Sequence, residues 1–289
     1  MANTPAAGHD VFQGLDSRRL TLACGDTVLV ALQGAHVLSW VSQGRERLFL
    51  SPDNLWDGKS GIRGGVPVCF PQFNHRGTLP KHGFARNMAW KVDDAPQVGE
   101  AVASRDAAHI DFTLSTNADT LAIWQQAFVA QLHVALAPGQ LTLTLTVNNT
   151  EVQKDLHFTG ALHTYLAVDD IDLTELRGLG GHPEWDAVAD VHGLADEALY
   201  FDGEFDRVYD ASANPLHLQD GTSSLQIEQS PSWANSVVWN PGEGKCATLT
   251  DMPAHGFARM LCVEAAQVFD PITIPAGGQW VGWQRLTVS

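Results

Sequence analysis

Residues 141–147 read Leu-Thr-Leu-Thr-Leu-Thr-Val, alternating apolar and threonine side chains without a break before Asn148-Asn149. Because successive side chains of a strand point to opposite faces, this pattern predicts a half-buried β-strand that ends in a turn. Short apolar runs recur along the chain, which also holds 26 Gly and 14 Pro. Many short strands separated by such turn residues are typical of a β-sandwich or barrel.

The sequence also predicts a hairpin in which residues 20–24 and 27–30 are joined by Gly25-Asp26. The weak amphipathic pattern of residues 186–199, interrupted by Gly193, is the best candidate for a helix. With no repeat and no change of composition, we expect a loose tail over residues 1–10 and one domain over residues 11–289. Further strands are predicted at residues 35–41, 109–114, 124–136, 224–229, 236–239, 259–265 and 280–288.

The composition excludes several classes of protein. Acids outnumber bases 33 to 17, a formal charge of −16, which argues against nucleic-acid binding and against binding to an anionic membrane. No apolar run has the roughly 18 residues of a membrane helix, and no secretory signal is readable at the N-terminus. The four cysteines and twelve histidines lack metal-ligand spacing, so we expect no metal, no disulfide and a cytoplasmic protein with free thiols.

One segment departs from this acidic average, because no Asp or Glu occurs between Asp57 and Asp93. The segment also contains His75 and His82 and is rich in Gly and Pro, but it has neither a Walker nor a Rossmann pattern. It is either a chance cluster on a solvated face or a pocket for an anion, for which arginine offers a planar fork of donors. It holds six of the 17 bases: Lys59, Arg63, Arg76, Lys81, Arg86 and Lys91.

Two residues in apolar surroundings are candidates for proton transfer. His163 follows an apolar, glycine-containing run and is either a structural group or a catalyst. Glu264 lies within the apolar run 260–266, where a buried charge is costly unless it is paired or functional. A structural ion pair or an outward position on an edge strand are the alternatives for Glu264. Asp206 could form an ordinary surface pair with Arg207.

Seven short motifs, in this order along the chain, resemble those of the hexose-6-phosphate mutarotases, the glucose-6-phosphate 1-epimerase branch of the aldose 1-epimerase family. The resemblance extends from about residue 20 to 288, nearly the whole chain. The motifs are Gly-Ile-Arg-Gly-Gly at 61–65, Phe-Pro-Gln-Phe at 70–73, His-Gly-Phe-Ala-Arg-Asn at 82–87, Leu-His-Thr-Tyr at 162–165, Asp-Arg-Val-Tyr at 206–209, Val-Trp-Asn-Pro at 238–241 and Cys-Val-Glu-Ala-Ala at 262–266.

This resemblance implies an all-β fold, a large antiparallel β-sandwich with few short helices, and a sugar held in a cleft on one sheet face. It implies that His163 is the general acid on the ring oxygen O5 and that Glu264 is the general base on the O1 hydroxyl. Lys81 stands where the family has Gln, and Leu166 replaces a common Phe. The positions that the resemblance assigns to substrate contact are Arg63, Lys81, His82, Arg86 and Asp206.

The expected function is therefore an isomerase that interconverts the α and β anomers of hexose 6-phosphates, with glucose 6-phosphate as the first candidate. Ring opening needs one proton removed and one delivered, so neither a metal nor a cofactor is expected. We expect a monomer whose partner is a small sugar phosphate. Nine tryptophans favour a sugar ligand weakly, because most of them should be core residues. The alternatives are a non-catalytic sugar-phosphate binding module and a glycoside hydrolase that uses Asp206 and Glu264.

Overall fold

The computed structural model describes residues 7–93, 106–211, 213–221 and 223–289. Its strands confirm the predicted all-β class, with few and short helices: α1 (Ala118–Ile123), α2 (Gly242–Cys246) and the 3-10 turns Ala85–Asn87, Ile171–Leu173 and Gly256–Arg259. In chain order the strands are β1 (Gly8–Phe12), β2 (Leu15–Thr21), β3 (Thr27–Ala31), β4 (His36–Ser42), β5 (Arg45–Glu46), β6 (Val68–Cys69), β7 (Lys91–Val92), β8 (Ala108–Ser115), β9 (Phe128–Ala137), β10 (Gln140–Asn149), β11 (Leu156–Leu162), β12 (Tyr165–Ala167), β13 (Thr174–Arg177), β14 (Pro183–Asp186), β15 (Val191–Leu194), β16 (Ala198–Leu199), β17 (Phe205–Asp210), β18 (Leu216–Asp220), β19 (Ser223–Gln229), β20 (Asn235–Asn240), β21 (Met260–Ile274) and β22 (Gln279–Val288).

These strands pair into three antiparallel sheets. The N-terminal sheet has the order β1-β2-β3-β4-β5. The nine-stranded sheet has the order β16-β13-β18-β19-β22-β10-β9-β8-β7. The eight-stranded sheet has the order β15-β14-β17-β20-β21-β11-β6, and the short β12 also pairs with β21. Strand β21 therefore lies inside the eight-stranded sheet, with β20 on one side and β11 followed by β12 on the other.

The main core lies between the nine-stranded and eight-stranded sheets. Strand β10 places its leucines in this core and its threonines on the opposite face, as the period of two predicts. From the other sheet, Leu261, Val263 and Ala265 of β21 enter the same core. The N-terminal sheet contributes Val28, Trp40 and their neighbours. Burying two sheet faces against each other is the standard solution for strands with one apolar face.

The predicted helix at residues 186–199 is wrong. The segment begins at the end of β14 and continues through β15 into β16. Trp185 and His192 are cross-strand partners whose rings lie 6.3 Å apart, and Asp190 has a positive φ of 54° in the turn between the strands. Strand β14 pairs with β17, and this pairing satisfies its backbone hydrogen bonds. The weak helical propensity of the segment does not compete with this tertiary pairing.

Several boundaries also differ from the prediction. The hairpin at Gly25 exists, but β2 ends at Thr21, so its turn is longer than two residues. Strand β9 begins at Phe128 rather than at residue 124, and the short helix α1, whose N-cap Asn117 forms a capping box with Thr120, precedes it. Strand β1 begins at Gly8 and pairs with β2, so the last residues of the predicted tail belong to a sheet.

A single domain over residues 11–289 stays a prediction. All four cysteines are free thiols; Cys24 is exposed and the other three are buried. Within the described ranges, no helix is long and apolar enough to cross a bilayer.

Candidate active site

Strand β21 presents a polar face on the side away from the main core. Leu261, Val263 and Ala265 point into the core, so Cys262 and Glu264 point to the other face of the same strand. Pairing extends this face sideways, because Asp206 of β17, Trp239 of β20, Cys262 of β21 and Tyr165 of β12 are successive cross-strand partners. The eight-stranded sheet thereby carries a carboxyl, an indole, a thiol and a phenol in one row.

His163 lies at the break between β11 and β12, both of which pair with β21. Its N–H donates to the carbonyl of Pro67 at 3.0 Å. Next to it, the Thr164 hydroxyl contacts Oε1 of Gln284 at 2.5 Å, and Gln284 donates to the Val263 carbonyl at 2.9 Å. This local structure brings Nε2 of His163 to 3.4 Å from Oε1 of Glu264.

Aromatic rings hold the imidazole in place. The ring of Tyr165 stacks on that of His163, with centroids 4.8 Å apart and planes 9° apart. The rings of His82 and Trp239 approach edge-on, at 5.4 and 6.3 Å. In the described part of the chain, Nδ1 of His163 is buried without a hydrogen-bond partner. The imidazole plane is therefore fixed mainly by stacking.

Every site residue that the sequence predicted lines one cavity of about 270 Å³ on this face of the eight-stranded sheet. The volume is close to the lower end of the range for small-molecule sites, roughly 300–1,000 Å³. His163 and Glu264 are almost completely buried at the floor, with exposed side-chain fractions of 9% and 1%. The predicted residues that line the cavity are Arg63, Lys81, His82, Arg86, His163, Asp206 and Glu264.

The backbone around Arg63 is tightly held. The amide of Asn54 donates to the Arg63 carbonyl at 2.9 Å and accepts from the Arg63 N–H at 2.7 Å. Gly65 follows with a φ of 58°, and a Cβ there would lie 2.0 Å from the Val37 carbonyl oxygen, so only glycine fits. The Arg63 guanidinium contacts Asp251 at 2.7 Å and the Tyr165 hydroxyl at 3.4 Å.

Lys81 and Arg86, two further cations of the basic segment, also line the cavity. Among the described residues, neither Lys81 nor Arg86 forms an ion pair, and Arg86 instead donates to the Lys81 carbonyl at 3.2 Å. Burial lowers the pKa of Lys81, and the charges of Arg86 and Arg63 lower it further. Unpaired positive charges that repel one another in a shared cavity form a site for an anion.

Burial disfavours the charged form of both groups at the floor of the cavity. The pKa of His163 lies well below its usual value because of burial, to which the positive charges of Arg86 and Arg63 add. The pKa of Glu264 lies well above its usual value because of burial, and the nearby Asp206 raises it further. Burial also raises the pKa of Asp206. The shifts of His163 and Glu264 both favour a neutral imidazole beside a protonated carboxyl.

Sequence reasoning missed several residues of this site. Tyr165 and Trp239 lie within the quoted motifs and pack against His163, but nothing in the sequence distinguishes them from core aromatics. Arg76 belongs to the basic segment and lines the cavity. Asp251, the partner of Arg63, and Lys245, at the rim, carry no sequence signal. Two tryptophans, Trp185 and Trp239, line the cavity, whereas Trp40, Trp90 and Trp233 are fully buried core residues.

The fold and the site together define a β-sandwich enzyme whose buried imidazole and carboxyl can exchange protons with a small molecule. The family described as "Aldose 1-epimerase" matches residues 18–287. The chain belongs to the aldose 1-epimerase family and acts on sugars as a mutarotase.

Relatives and solved structures agree with this membership. A protein of Cenchrus ciliaris named "Putative glucose-6-phosphate 1-epimerase" is 35% identical over 88% of this chain and 78% of its own. A protein of the same name from Escherichia coli is 34% identical over 82% of this chain and 78% of its own. The crystal structure of a "putative mutarotase" from Salmonella typhimurium is 26% identical, with a TM-score of 0.83 over 99% of this chain and 97% of that one.

Proposed function

We propose that this protein interconverts the α and β anomers of a hexose 6-phosphate, with glucose 6-phosphate as the first candidate for the substrate. The observation that carries the proposal is the approach of His163 Nε2 to Glu264 Oε1, at 3.4 Å, in a cavity that Arg63, Lys81 and Arg86 also line. The relatives named above support the choice of sugar phosphate.

In the proposed reaction, Glu264 and His163 act on the two oxygens bound to the anomeric carbon. The Glu264 carboxylate takes the proton of the O1 hydroxyl, and the O–H electron pair forms the C1=O double bond. The C1–O5 bond breaks at the same time, and its electron pair on O5 takes a proton from the His163 imidazolium. Rotation about C1–C2 and reclosure in the reverse sense give the other anomer. Each positioned acid or base typically contributes about 10²–10⁴-fold.

The buried pair of His163 and Glu264 suits this reaction cycle because the cycle uses two protonation states of the pair. These two states differ only in which of the two side chains carries one proton. The closed ring requires imidazolium and carboxylate, and the open aldehyde leaves neutral imidazole and protonated carboxyl. Burial favours the second arrangement, as the pKa directions of His163 and Glu264 show. The enzyme thereby stabilises the state in which the ring is open, the state from which either anomer can form.

The cationic border of the cavity is proposed to hold the 6-phosphate. Arg63, Lys81 and Arg86 offer charged donors, and charge-assisted hydrogen bonds to a phosphate are worth roughly 1.5–3 kcal/mol each. The phosphate charge would also offset the guanidinium charges that lower the pKa of His163, and so favour the imidazolium that protonates O5. His82 and Asp206 are proposed to contact ring hydroxyls.

The test is NMR exchange spectroscopy between the α and β anomers of glucose 6-phosphate with and without the protein. His163→Ala and Glu264→Gln should each lower the rate of exchange about 10²–10⁴-fold. Matched controls are His217→Ala and Glu243→Gln, because both side chains are exposed. Unchanged exchange in the two cavity variants would remove the proposed roles of His163 and Glu264.

The choice of substrate and the two alternatives need separate measurements. Exchange of glucose as fast as that of glucose 6-phosphate, with no loss in Arg86→Gln, would contradict phosphate recognition but leave mutarotation intact. Binding of glucose 6-phosphate in a calorimeter without faster exchange would favour the binding module. Release of reducing sugar from oligosaccharides would favour the glycoside hydrolase.

A further inference from the structure

The proposed proton transfer gives no role to the buried thiol of Cys262. Cys262 is completely buried and lies two residues before Glu264 on the same face of β21. Its cross-strand partner is Tyr165, which stacks on His163. Strand register rather than a loop therefore holds the thiol next to the catalytic pair.

His163, Cys262 and Glu264 each offer one potential metal ligand, and these three atoms all lie within 4.8 Å of one another. They are an imidazole nitrogen, a thiol sulfur and a carboxyl oxygen, the donor types that zinc prefers. In the described part of the chain, Nδ1 of His163 and Oε2 of Glu264 are buried without hydrogen-bond partners. The protein itself leaves these polar groups incompletely satisfied.

From this geometry we propose that His163, Cys262 and Glu264 form an inhibitory binding site for Zn²⁺. Zinc bonds of about 2.0–2.3 Å place tetrahedral ligands roughly 3.5 Å apart, so closing the site requires side-chain movements of about 1 Å. Three protein ligands leave a fourth position that faces the cavity, open to water or to a sugar oxygen. Ligand spacing along the sequence did not indicate this site, because His163 and Cys262 are far apart in the chain and meet through the pairing of β11 and β12 with β21.

The charge balance of the site permits the metal. Binding displaces one proton from the Cys262 thiol and one from the Glu264 carboxyl to solvent, and the resulting thiolate and carboxylate neutralise the dication. Of the nearby cations, Arg63 is already paired with Asp251. Asp206 adds a further acidic group to the same cavity. Mg²⁺, which prefers an octahedral shell of oxygen ligands, does not fit this donor set.

Bound zinc would remove the acid and the base together. With an imidazole nitrogen of His163 and a carboxyl oxygen of Glu264 bound to the metal, neither side chain can exchange a proton with the sugar. Because the fourth zinc position can still accept a sugar oxygen, bound zinc should lower kcat rather than act only on KM. Inhibition should weaken as pH falls, because protons compete with the metal for the thiol and the carboxyl.

The first experiment measures metal binding without reference to activity. Co²⁺ added to the full-length protein should give a thiolate-to-metal charge-transfer band with tetrahedral d–d absorption, and calorimetry should show one Zn²⁺ per chain. Cys262→Ser should lose the charge-transfer band and bind Zn²⁺ at least tenfold more weakly. Cys24→Ser, which removes the exposed thiol, should change neither result. Equal binding by wild type and Cys262→Ser, or loss of binding in Cys24→Ser, would overturn the proposal.

The second experiment measures inhibition. Zn²⁺ should slow the anomer exchange of the wild type relative to its own metal-free rate, but should leave the rate of Cys262→Ser at the metal-free rate of that variant; Mg²⁺ should affect neither. Cys262→Ala with a thermal melt separates loss of the ligand from loss of the fold. If Zn²⁺ binds as expected but the wild type shows no exchange at all, the proposed function fails and the metal site stands. If exchange is present and insensitive to bound Zn²⁺, the inhibitory role fails.

Discussion

Replacing His36 with Gln should remove about 3 kcal/mol of the acid sensitivity of the fold. His36 is completely buried in β4, and its Nε2 lies 2.7 Å from the Gly64 carbonyl oxygen, beside the turn that positions Arg63. Burial lowers the pKa of His36 from 6.5 to about 4, against the opposing effect of the Gly64 contact, and the charge of Arg86 adds to the lowering. The unfolded chain therefore takes up this proton at a higher pH than the folded chain.

The sign and the size of the effect follow from this difference. Between pH 6.5 and about 4 the unfolded state binds more protons at this site, so the free energy of unfolding falls as the pH falls. Each pH unit within this window contributes about 1.4 kcal/mol, so the complete window contributes about 3 kcal/mol. That is a substantial fraction of the total stability of a typical protein, about 5–15 kcal/mol.

The assay is urea unfolding of wild type and His36→Gln over a series of pH values. Gln places an amide nitrogen near the position of Nε2, so it can still donate to Gly64, but it does not titrate. Wild type should lose about 3 kcal/mol more than the variant between neutral pH and pH 4. His82 and His163, whose pKa values burial also lowers, titrate in both proteins and cancel in the comparison.

Exposed His217→Gln is the matched control and should follow the wild type. Parallel pH dependence in wild type and His36→Gln would refute the assignment, because it would mean that His36 does not titrate differently on folding.

Three further outcomes are expected. The pH profile of kcat/KM for anomer exchange should be bell-shaped. Below the lowered pKa of His163, both His163 and Glu264 carry a proton, and above the raised pKa of Glu264 neither does, so the single shared proton that the reaction needs is present only between these limits. A monotonic profile would contradict this expectation. Tyr165→Phe should keep kcat within a few-fold, while Tyr165→Leu should lower kcat up to about tenfold by removing the ring stacked on His163; equal kcat values in steady-state kinetics would argue against positioning. Gly65→Ala should destabilise the fold by about 2 kcal/mol or more in urea, because its Cβ would meet the Val37 carbonyl at 2.0 Å, whereas Gly44→Ala, with open space around it, should cost less.

The all-β class was predictable because strand periodicity is a local property. The alternation at residues 141–147 identifies β10 without knowledge of its partners, and the buried and exposed faces then follow. The helix prediction at residues 186–199 failed because the structure there depends on tertiary contacts rather than on the local pattern. There the local pattern was weak, and pairing of β14 with β15 and β17 decided the structure.

The side chains that are unusual for their surroundings can be identified without a structure. Glu264 in an apolar run, His163 after another, and Arg63 and Arg86 in an acid-free segment are visible because burying or clustering charge is costly wherever it occurs. Their contacts with one another depend on how the chain folds. His163 comes within 3.4 Å of Glu264, Arg63 finds Asp251, and Cys262 lies against the pair, through contacts between residues distant in sequence. The physical reason is that the alternation along a strand fixes the face of each residue, whereas its neighbours on that face depend on which strands pair and in which register.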